Sequence, residues 1–320
     1  MKSKLLIITP VKHIQNFRNK INENFKPTYI PLATKKSLKK EIKKFDYIFT
    51  NPNMSKVFID KSILEGSKIK AICTASTGTN HIDINYIKKK NIKLISLTKE
   101  LKLIRKLSST AELAFGLTLN SVRKIFLSSQ SVKEGNWSYL PFVGRMMKNL
   151  KIFIIGYGRL GRIYTKYCLN FGAKVFVYDP NINIKNKRVI VVKKLKKNLK
   201  KFDVISLNIH ATKKNINFLN KDIFKNLKND VAIINTSRGE IINEKQLISF
   251  LKKNKNASYS ADVISGEQKN YKDNILFKFF LKKTNQIFLT PHIGGMTSDG
   301  QKMAYNHALN LLIKFDKRNV

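Results

Sequence analysis

The chain has 320 residues, and its 62 Lys and Arg residues against 20 Asp and Glu residues give a formal net charge of +42 at pH 7. This length allows two domains of ordinary size and excludes a small scaffold held together by disulfides. The only cysteines, Cys73 and Cys168, indicate neither a disulfide framework nor a metal site and fit the reducing cytosol. The N-terminal apolar run is too short for a secretory signal, and no stretch approaches a membrane span. We therefore expect a cytoplasmic protein.

The high positive charge has two competing explanations. A nucleic-acid site would concentrate charge on one face, with Arg and aromatic residues interleaved. Here Lys far outnumbers Arg, the excess runs through every segment, and Asn and Ile are abundant, as expected for an AT-rich genome. We therefore expect no specific nucleic-acid partner, and we interpret runs such as KKLKKNLKK at 193–201 as solvated helix faces.

The first hundred residues alternate short apolar runs with polar stretches, which predicts an α/β domain with parallel strands. Strands are predicted at 5–9, 47–50, 71–74 and 93–97. The polar loop Ser76, Thr77 and Gly78 follows the third of them, at the edge where open parallel sheets bind ligands. Its backbone N–H groups could hold an acid or carbonyl oxygen of a substrate; a plain connecting turn is the alternative.

From Ser108 the pattern changes to one long helix, SSTAELAFGLTLNSVRKIFLSSQ, with a predicted capping box from Ser109 to Glu112. Its apolar residues extend well around the helix, so we expect it to be buried between domains or at a subunit contact. Trp137, in the mixed loop that follows, is interpreted as an anchor in an interface.

Residues 151–180 contain a dinucleotide-binding motif. Gly156, Gly158 and Gly161 form G-x-G-x-x-G directly after an apolar run, and Asp179 ends the next run about 20 residues later. The glycines permit a tight turn, close approach of a pyrophosphate and close packing of the following helix, whose N-terminus attracts phosphates. Asp179 would bond the adenosine ribose and repel a 2′-phosphate, which favours NAD, although basic residues at 185, 187 and 188 could soften that preference.

Three polar residues follow later strands, which are predicted at 204–208, 231–235, 258–263 and 286–290. Arg238, Glu267 and His292 should converge, because the carboxyl ends of parallel strands meet in one crevice. Hydride transfer from a 2-hydroxy acid needs an acid/base, which His292 would supply, and a carboxylate-binding group, which Arg238 would supply. Glu267 would orient His292 and favour its imidazolium. Taken singly, each could instead be a cap, an exposed acid or a turn residue, and His210 could line the crevice or serve a turn.

Ordered motifs along the chain resemble those of the D-isomer-specific 2-hydroxyacid dehydrogenases over nearly its whole length. They are GTNHID at 78–83, STAEL at 109–113, IIGYGRLG at 154–161, YDP at 178–180, INTSRGE at 234–240, ADV at 261–263 with Glu267, and TPHIGG at 290–295. The resemblance implies an α/β protein with two doubly wound parallel-sheet domains. A Rossmann NAD-binding domain, residues 102–292, would be inserted in a flavodoxin-like substrate-binding domain, residues 1–101 and 293–320.

The resemblance also implies a homodimer, with the 108–126 helix and the Trp137 region near the contact. It assigns Arg238 to the substrate, Glu267 and His292 to the acid/base pair, and the Ser76–Gly78 loop to the substrate carboxylate. Further cofactor contacts are implied for Arg159, Leu160, Asp179, Thr236 and Asp262. No metal is expected.

Departures from the family pattern narrow the substrate. Asn51 stands where phosphoglycerate-type members often carry an arginine, and Glu267 stands where formate-oxidising members have glutamine. Gln268 replaces a frequent proline, which could alter its loop. The chain ends without an appended regulatory domain, so feedback by serine is not expected. The alternatives are a phosphoglycerate dehydrogenase, an NAD(H)-sensing protein of the corepressor type, and a polyanion-binding protein on an old dehydrogenase scaffold.

Overall fold

The chain forms two compact units in a computed structural model that describes residues 2–52, 57–195, 199–267, 270–282 and 285–319. Unit 1 comprises Met1–Leu107 and Met296–Val320, and unit 2 comprises Ser108–Gly295. Unit 2 is therefore inserted into the sequence of unit 1. Among the described residues, none of the helices combines the length and apolar character needed to cross a membrane.

Unit 1 is built on a five-stranded parallel sheet with the strand order β2-β1-β3-β4-β5. Its strands are β1 (Lys4–Ile7), β2 (Lys26–Tyr29), β3 (Tyr47–Thr50), β4 (Ala71–Thr74) and β5 (Lys93–Ile95). Its helices are α1 (Phe17–Asn24), α2 (Lys35–Glu41), α3 (Lys61–Leu64), α4 (Ile84–Lys89), α5 (Leu101–Ile104) and the C-terminal α12 (Ser298–Asp316). This is the flavodoxin-like order, as expected.

Alternation of side chains along β1 explains why helices cover both faces of this sheet. Leu5 and Ile7 belong to one apolar cluster, which α12 completes with Ala308 and Leu312, whereas Leu6 belongs to a cluster on the opposite face. A strand that is buried on both faces reads as a continuous apolar run. The C-terminal helix α12 thus packs on the sheet formed by the first hundred residues.

Unit 2 is built on a seven-stranded parallel sheet with the order β12-β11-β10-β9-β6-β7-β8. Its strands are β6 (Lys151–Ile155), β7 (Lys174–Tyr178), β8 (Ile190–Val191), β9 (Val204–Leu207), β10 (Ala232–Asn235), β11 (Ser258–Ala261) and β12 (Ile287–Leu289). Its helices are α6 (Ser109–Arg123), α7 (Ile125–Lys133), α8 (Arg159–Asn170), α9 (Lys221–Phe224), α10 (Glu244–Lys253) and α11 (Ile275–Phe280). Counted along the unit, the order is 3-2-1-4-5-6 with a seventh strand, so the predicted Rossmann fold is confirmed.

Short 3-10 turns connect several elements of both units. They lie at Ile42–Lys44, Leu97–Lys99, Leu140–Phe142, Met147–Asn149, Leu199–Lys201, Gly239–Ile241 and Tyr271–Asp273. The lysine run at 193–201 therefore ends in a 3-10 turn, and its residues 196–198 lie outside the described part of the chain. The prediction of a helix face is wrong for the turn, where side chains repeat every three residues.

The predicted long helix from Ser108 is wrong in two respects. Lys124 has a φ of 54°, which breaks the helix into α6 and α7. The capping box is also wrong, because Ser109 lies inside α6 and Ser108 is the N-cap residue. The Ser108 hydroxyl donates to Glu112 Oε1 at 2.5 Å. Glu112 therefore accepts from Ser108 and not from Ser109, the partner that the sequence predicted. The inner face of α6 packs on α8, β10 and β11.

Candidate active site

The glycine turn after β6 has the shape that a bound dinucleotide requires. Gly156 has a φ of 95°, and a Cβ there would overlap the Asn208 carbonyl group. A Cβ on Gly161 would overlap the Gly156 carbonyl oxygen, whereas a Cβ on Gly158 would meet no atom within 4 Å. Gly158 therefore leaves open space at the N-terminus of α8, and the N-terminus of a helix attracts phosphates.

Asp179 is fixed just beyond the end of β7 by two backbone hydrogen bonds. Its Oδ2 accepts from the Tyr157 N–H at 2.8 Å and its Oδ1 from the Asn181 N–H at 2.9 Å. Each carboxylate oxygen has a further lone pair for a ribose hydroxyl. The glycine turn and this carboxylate together fit the pyrophosphate and ribose of NAD.

The remaining predicted cofactor residues lie at the same carboxyl edge of the sheet or directly after it. Leu160 and Thr236 are half-buried, and burial lowers the pKa of Arg159 in the first turn of α8. His210 is exposed on the loop after β9, and its carbonyl group accepts a hydrogen bond from the Asn215 side chain.

Arg238 follows β10 on a loop that the buried Asn235 side chain holds. Asn235 Nδ2 donates to the Arg238 carbonyl at 3.0 Å, and its Oδ1 accepts from the Ser237 N–H at 3.0 Å. The half-buried Arg238 guanidinium donates from Nη1 to the Ser237 carbonyl at 2.7 Å. This bond orients the guanidinium and occupies one of its five N–H groups.

Glu267 and His292 form a direct pair across two loops of unit 2. Glu267 Oε1 lies 2.5 Å from His292 Nδ1, and the two side chains are 17% and 37% exposed. The hydrogen bond with Glu267 is the main cause that raises the pKa of His292; burial and the positive charge of Arg238 oppose it. Of the three residues predicted to converge, Glu267 and His292 are in direct contact, and the positive charge of Arg238 acts on His292. Gln268 lies outside the described residues.

Asp262 holds the loop that carries His292. Its Oδ1 accepts from the Thr290 hydroxyl at 2.5 Å and the Ile293 N–H at 2.7 Å, and its Oδ2 accepts from the Gly294 N–H at 2.7 Å. Burial raises the pKa of Asp262, and these hydrogen bonds oppose that effect. His292 itself has a φ of 57°, a left-handed conformation that is uncommon outside glycine. The loop is therefore held in a special conformation by one buried acid.

Sequence reasoning missed the residues that support this pair. Glu244 and Asn274 hold the Ser265 backbone, and Gly239 packs directly on the Ile264–Ser265 peptide bond, where a Cβ would overlap it. Glu244 and Asn274 lie at helix N-termini, where acids and amides are common because they stabilise the helix end. Their residue types therefore did not indicate a role in the site. Of these three residues, only Gly239 could have been noticed in the sequence, because a glycine directly after Arg238 can indicate close backbone packing.

The Ser76–Gly78 loop of unit 1 follows β4 and is internally braced. Ser76 Oγ donates to the Gly78 carbonyl at 2.6 Å, and Thr98 Oγ1 donates to the Thr77 carbonyl at 3.0 Å. Within the described part of the chain, the backbone N–H groups of Ser76, Thr77 and Gly78 donate to no protein acceptor. They are therefore available for an anion.

The three remaining histidines, His13, His81 and His307, belong to unit 1. His81 is buried, and burial lowers its pKa to about 4. His307 pairs with Glu100 at 2.7 Å, and His13 Nε2 lies 2.7 Å from the Gln301 side chain. None of these contacts involves Arg238, Glu267 or His292.

A family model described as "D-isomer specific 2-hydroxyacid dehydrogenase, NAD binding domain" matches residues 115–294, more than half of the chain. The chain belongs to this dehydrogenase family. The resemblance read from the motifs and the expected cofactor, NAD, are both confirmed, and the chain is an NAD-dependent dehydrogenase acting on CH–OH groups.

Two relatives of this dehydrogenase are named for different substrates. It is 31% identical over 237 residues to a hydroxypyruvate reductase of Thermotoga maritima, which covers 74% of each chain. It is 30% identical over 271 residues to a D-3-phosphoglycerate dehydrogenase of Archaeoglobus fulgidus, covering 84% of this chain but only 49% of that relative. The chain thus spans about half the length of the second relative.

A solved structure with the same fold is that of D-lactate dehydrogenase from Aquifex aeolicus complexed with NAD and lactic acid. The two chains are 25% identical, with a TM-score of 0.81, and the match covers 98% of this chain and 95% of the other.

Proposed function

We propose that this dehydrogenase interconverts a small, unphosphorylated D-2-hydroxy acid and the corresponding 2-keto acid. The observation that carries the proposal is the Glu267–His292 pair, 2.5 Å apart and within the electrostatic reach of Arg238, in the unit that binds NAD. When bound, NAD supplies the hydride acceptor, and NADH the donor, for the substrate C2. The side chains of this unit supply the proton and the carboxylate contact.

His292 is the acid/base. Because its Nδ1 faces Glu267, the imidazole tautomer is fixed and Nε2 exchanges the proton with the substrate oxygen. The Glu267 carboxylate raises the pKa of His292 and thereby favours the imidazolium that protonates a keto oxygen during reduction. In the oxidative direction, neutral His292 takes the hydroxyl proton.

Arg238 binds the substrate carboxylate. Its planar guanidinium matches a carboxylate in a two-bond arrangement, and the internal bond to the Ser237 carbonyl limits its rotation before substrate arrives. The N–H groups of Ser76, Thr77 and Gly78 are proposed to contact the same carboxylate. Unit 1 is accordingly proposed as the substrate-binding domain.

Asn51 supports the choice of an unphosphorylated acid. This residue, directly after β3, is 6% exposed, and its Nδ2 donates to the Tyr305 hydroxyl at 3.1 Å. A buried neutral amide offers no positive charge to a phosphate, unlike an arginine at the same position. The hydroxypyruvate reductase is therefore the better guide to substrate class than the phosphoglycerate dehydrogenase.

A panel of 2-keto acids, followed by the loss of NADH absorbance, tests this function. It should include pyruvate, glyoxylate, hydroxypyruvate and its 3-phosphate. The chiral products should be resolved into D and L forms, whereas glyoxylate gives achiral glycolate and reports the rate alone. We expect D product and a higher kcat/KM for an unphosphorylated acid. Preference for the phosphorylated acid would contradict the argument from Asn51. Tight NADH binding without turnover of any acid would instead favour the corepressor-type alternative.

We also propose that the protein is a cytoplasmic homodimer without a specific nucleic-acid partner. Exposed large apolar side chains are concentrated in one segment of unit 2, residues 125–146. They are Ile125, Phe126, Val132, Trp137, Tyr139, Leu140, Val143 and Met146, and Trp137 is 89% exposed. Such a concentration is typical of an interaction surface. Light scattering coupled to size-exclusion chromatography tests it, and a monomer at micromolar concentration would contradict it.

A further inference from the structure

The loop that carries Glu267 is held from inside unit 2 by two other acids. Glu244 Oε1 accepts from the Ser265 N–H at 2.8 Å, and Glu240 Oε1 accepts from the Gly266 N–H at 3.1 Å. The two residues before Glu267 therefore have their backbone donors fixed by side chains, in a region without regular secondary structure.

Asn274 closes this arrangement into a ring. Its Nδ2 donates to Glu244 Oε2 at 2.7 Å and to the Ser265 carbonyl at 2.9 Å, and its Oδ1 accepts from the Phe277 N–H at 2.9 Å. Both backbone polar groups of Ser265 are thus bonded to one pair of side chains. Movement of the loop away from this position would break at least one of these hydrogen bonds.

Glu244 is anchored to the core of the unit. It is the first residue of α10 and is 9% exposed, and the same helix buries Leu247 and Leu251 completely. A carboxylate at a helix N-terminus is also favourably placed in the field of the helix. The Glu267 loop is therefore anchored to a helix that is packed into the core. Catalytic residues keep their geometry best when the residues that support them lie on such elements.

We propose that Glu244, acting through Asn274 and the Ser265 backbone, is a positioning residue that keeps Glu267 against His292. This inference rests on the proposed acid/base role of that pair. Glu244 touches neither reacting group; it limits how far the Glu267 loop can move away. In a more mobile loop, the Glu267–His292 hydrogen bond would be formed for less of the time. The pKa of His292 would then fall, and less of the imidazolium would be present.

The titration of His292 by NMR, in protein without cofactor, tests the proposal independently of turnover. In Glu244→Gln, the new amide faces Asn274 Nδ2, so two donors meet and the ring opens while the side-chain volume is kept. We expect the pKa of His292 to fall, in the same direction as in Glu267→Gln and by a smaller amount. We also expect kcat for keto-acid reduction to fall about 10-fold, with KM changed by less than about 2-fold.

Asn274→Ser is the second variant, because serine keeps the helix cap but is too short to reach both Glu244 and Ser265. It should reproduce the Glu244→Gln effects, and it decides the matter if Glu244→Gln does not fold. Asp222→Asn, which removes an acid from the first turn of α9 in the same unit, is the matched control and should behave as wild type.

Wild-type His292 titration and kcat in folded Asn274→Ser and Glu244→Gln would overturn the inference. His292→Ala, measured in parallel, separates the two levels of the argument. If His292→Ala keeps its turnover, the proposed function fails. If it loses turnover while Glu244→Gln remains normal, only the positioning role fails.

Discussion

Replacement of Gly239 by alanine is expected to damage catalysis without touching a reacting group. Gly239 follows Arg238, and an added Cβ would overlap the Ile264–Ser265 peptide, which leads to Glu267. The overlapped atoms are backbone and cannot rotate away, so one of the two loops must move by an amount on the order of 1 Å to restore ordinary contact distances. Arg238 and Glu267 would then no longer face the same point.

A misplacement of about 1 Å can reduce a rate by about 100-fold, which corresponds to about 2.7 kcal/mol of transition-state stabilisation. Overpacking should also cost about 1–3 kcal/mol of folding free energy. The assay is kcat/KM for the best keto acid, with NADH affinity measured by fluorescence titration. NADH affinity should stay close to wild type, because the glycine turn after β6 is a separate loop.

Gly116→Ala is the matched control. Gly116 lies within α6, a Cβ there would meet no atom within 4 Å, and alanine favours the helix by about 1 kcal/mol. This variant should be as active as wild type and slightly more stable. If Gly239→Ala retained a kcat/KM within about twofold of wild type, the inferred contact between the Arg238 and Glu267 loops would be refuted.

Three further substitutions have defined outcomes. Glu267→Gln removes the charge that raises the pKa of His292, so the rate of keto-acid reduction should decline at lower pH than in wild type; an unchanged pH profile would contradict this. Arg238→Lys loses the two-bond carboxylate contact and should raise KM by about 10- to 100-fold in steady-state assays, with NADH affinity unchanged. Asp203→Asn should lower the free energy of unfolding by about 2–3 kcal/mol in urea titrations at pH 7, because the buried carboxylate accepts from Arg145 at 2.6 Å and Lys228 at 2.9 Å. Burial of Asp203 raises its pKa, but these bonds lower it overall, so its stabilisation is present above the unfolded pKa and is lost as pH falls through the lower folded pKa.

Strands whose side chains are buried on both faces of a sheet could be predicted from the sequence alone. The strands β1, β6 and β10 are continuous apolar runs, and a parallel sheet accounts for each of them. Of the four edge strands, β5 and β12 were predicted, whereas β2 and β8 were missed because their residues carry no such pattern. The strand β2 contains a proline and is only partly buried, and β8 consists of two exposed residues at an edge of the unit 2 sheet.

The break at Lys124 was not predictable from local composition, because lysine has no preference for a left-handed conformation and neither glycine nor proline lies beside it. The convergence of Arg238 and His292 followed from a general property of parallel sheets. The contacts that fix them did not, because Glu244 and Asn274 are 30 residues apart and meet only through the packing of α10 and α11.

The central claim is that His292 transfers the substrate proton in a site that binds NAD through other residues. The most direct test compares His292→Ala with wild type in keto-acid turnover and in NADH affinity. Loss of a positioned acid/base should lower kcat by about 10²- to 10⁴-fold, with NADH affinity within about twofold of wild type, because the glycine turn and Asp179 are untouched. A His292→Ala variant with turnover within about tenfold of wild type would contradict the account.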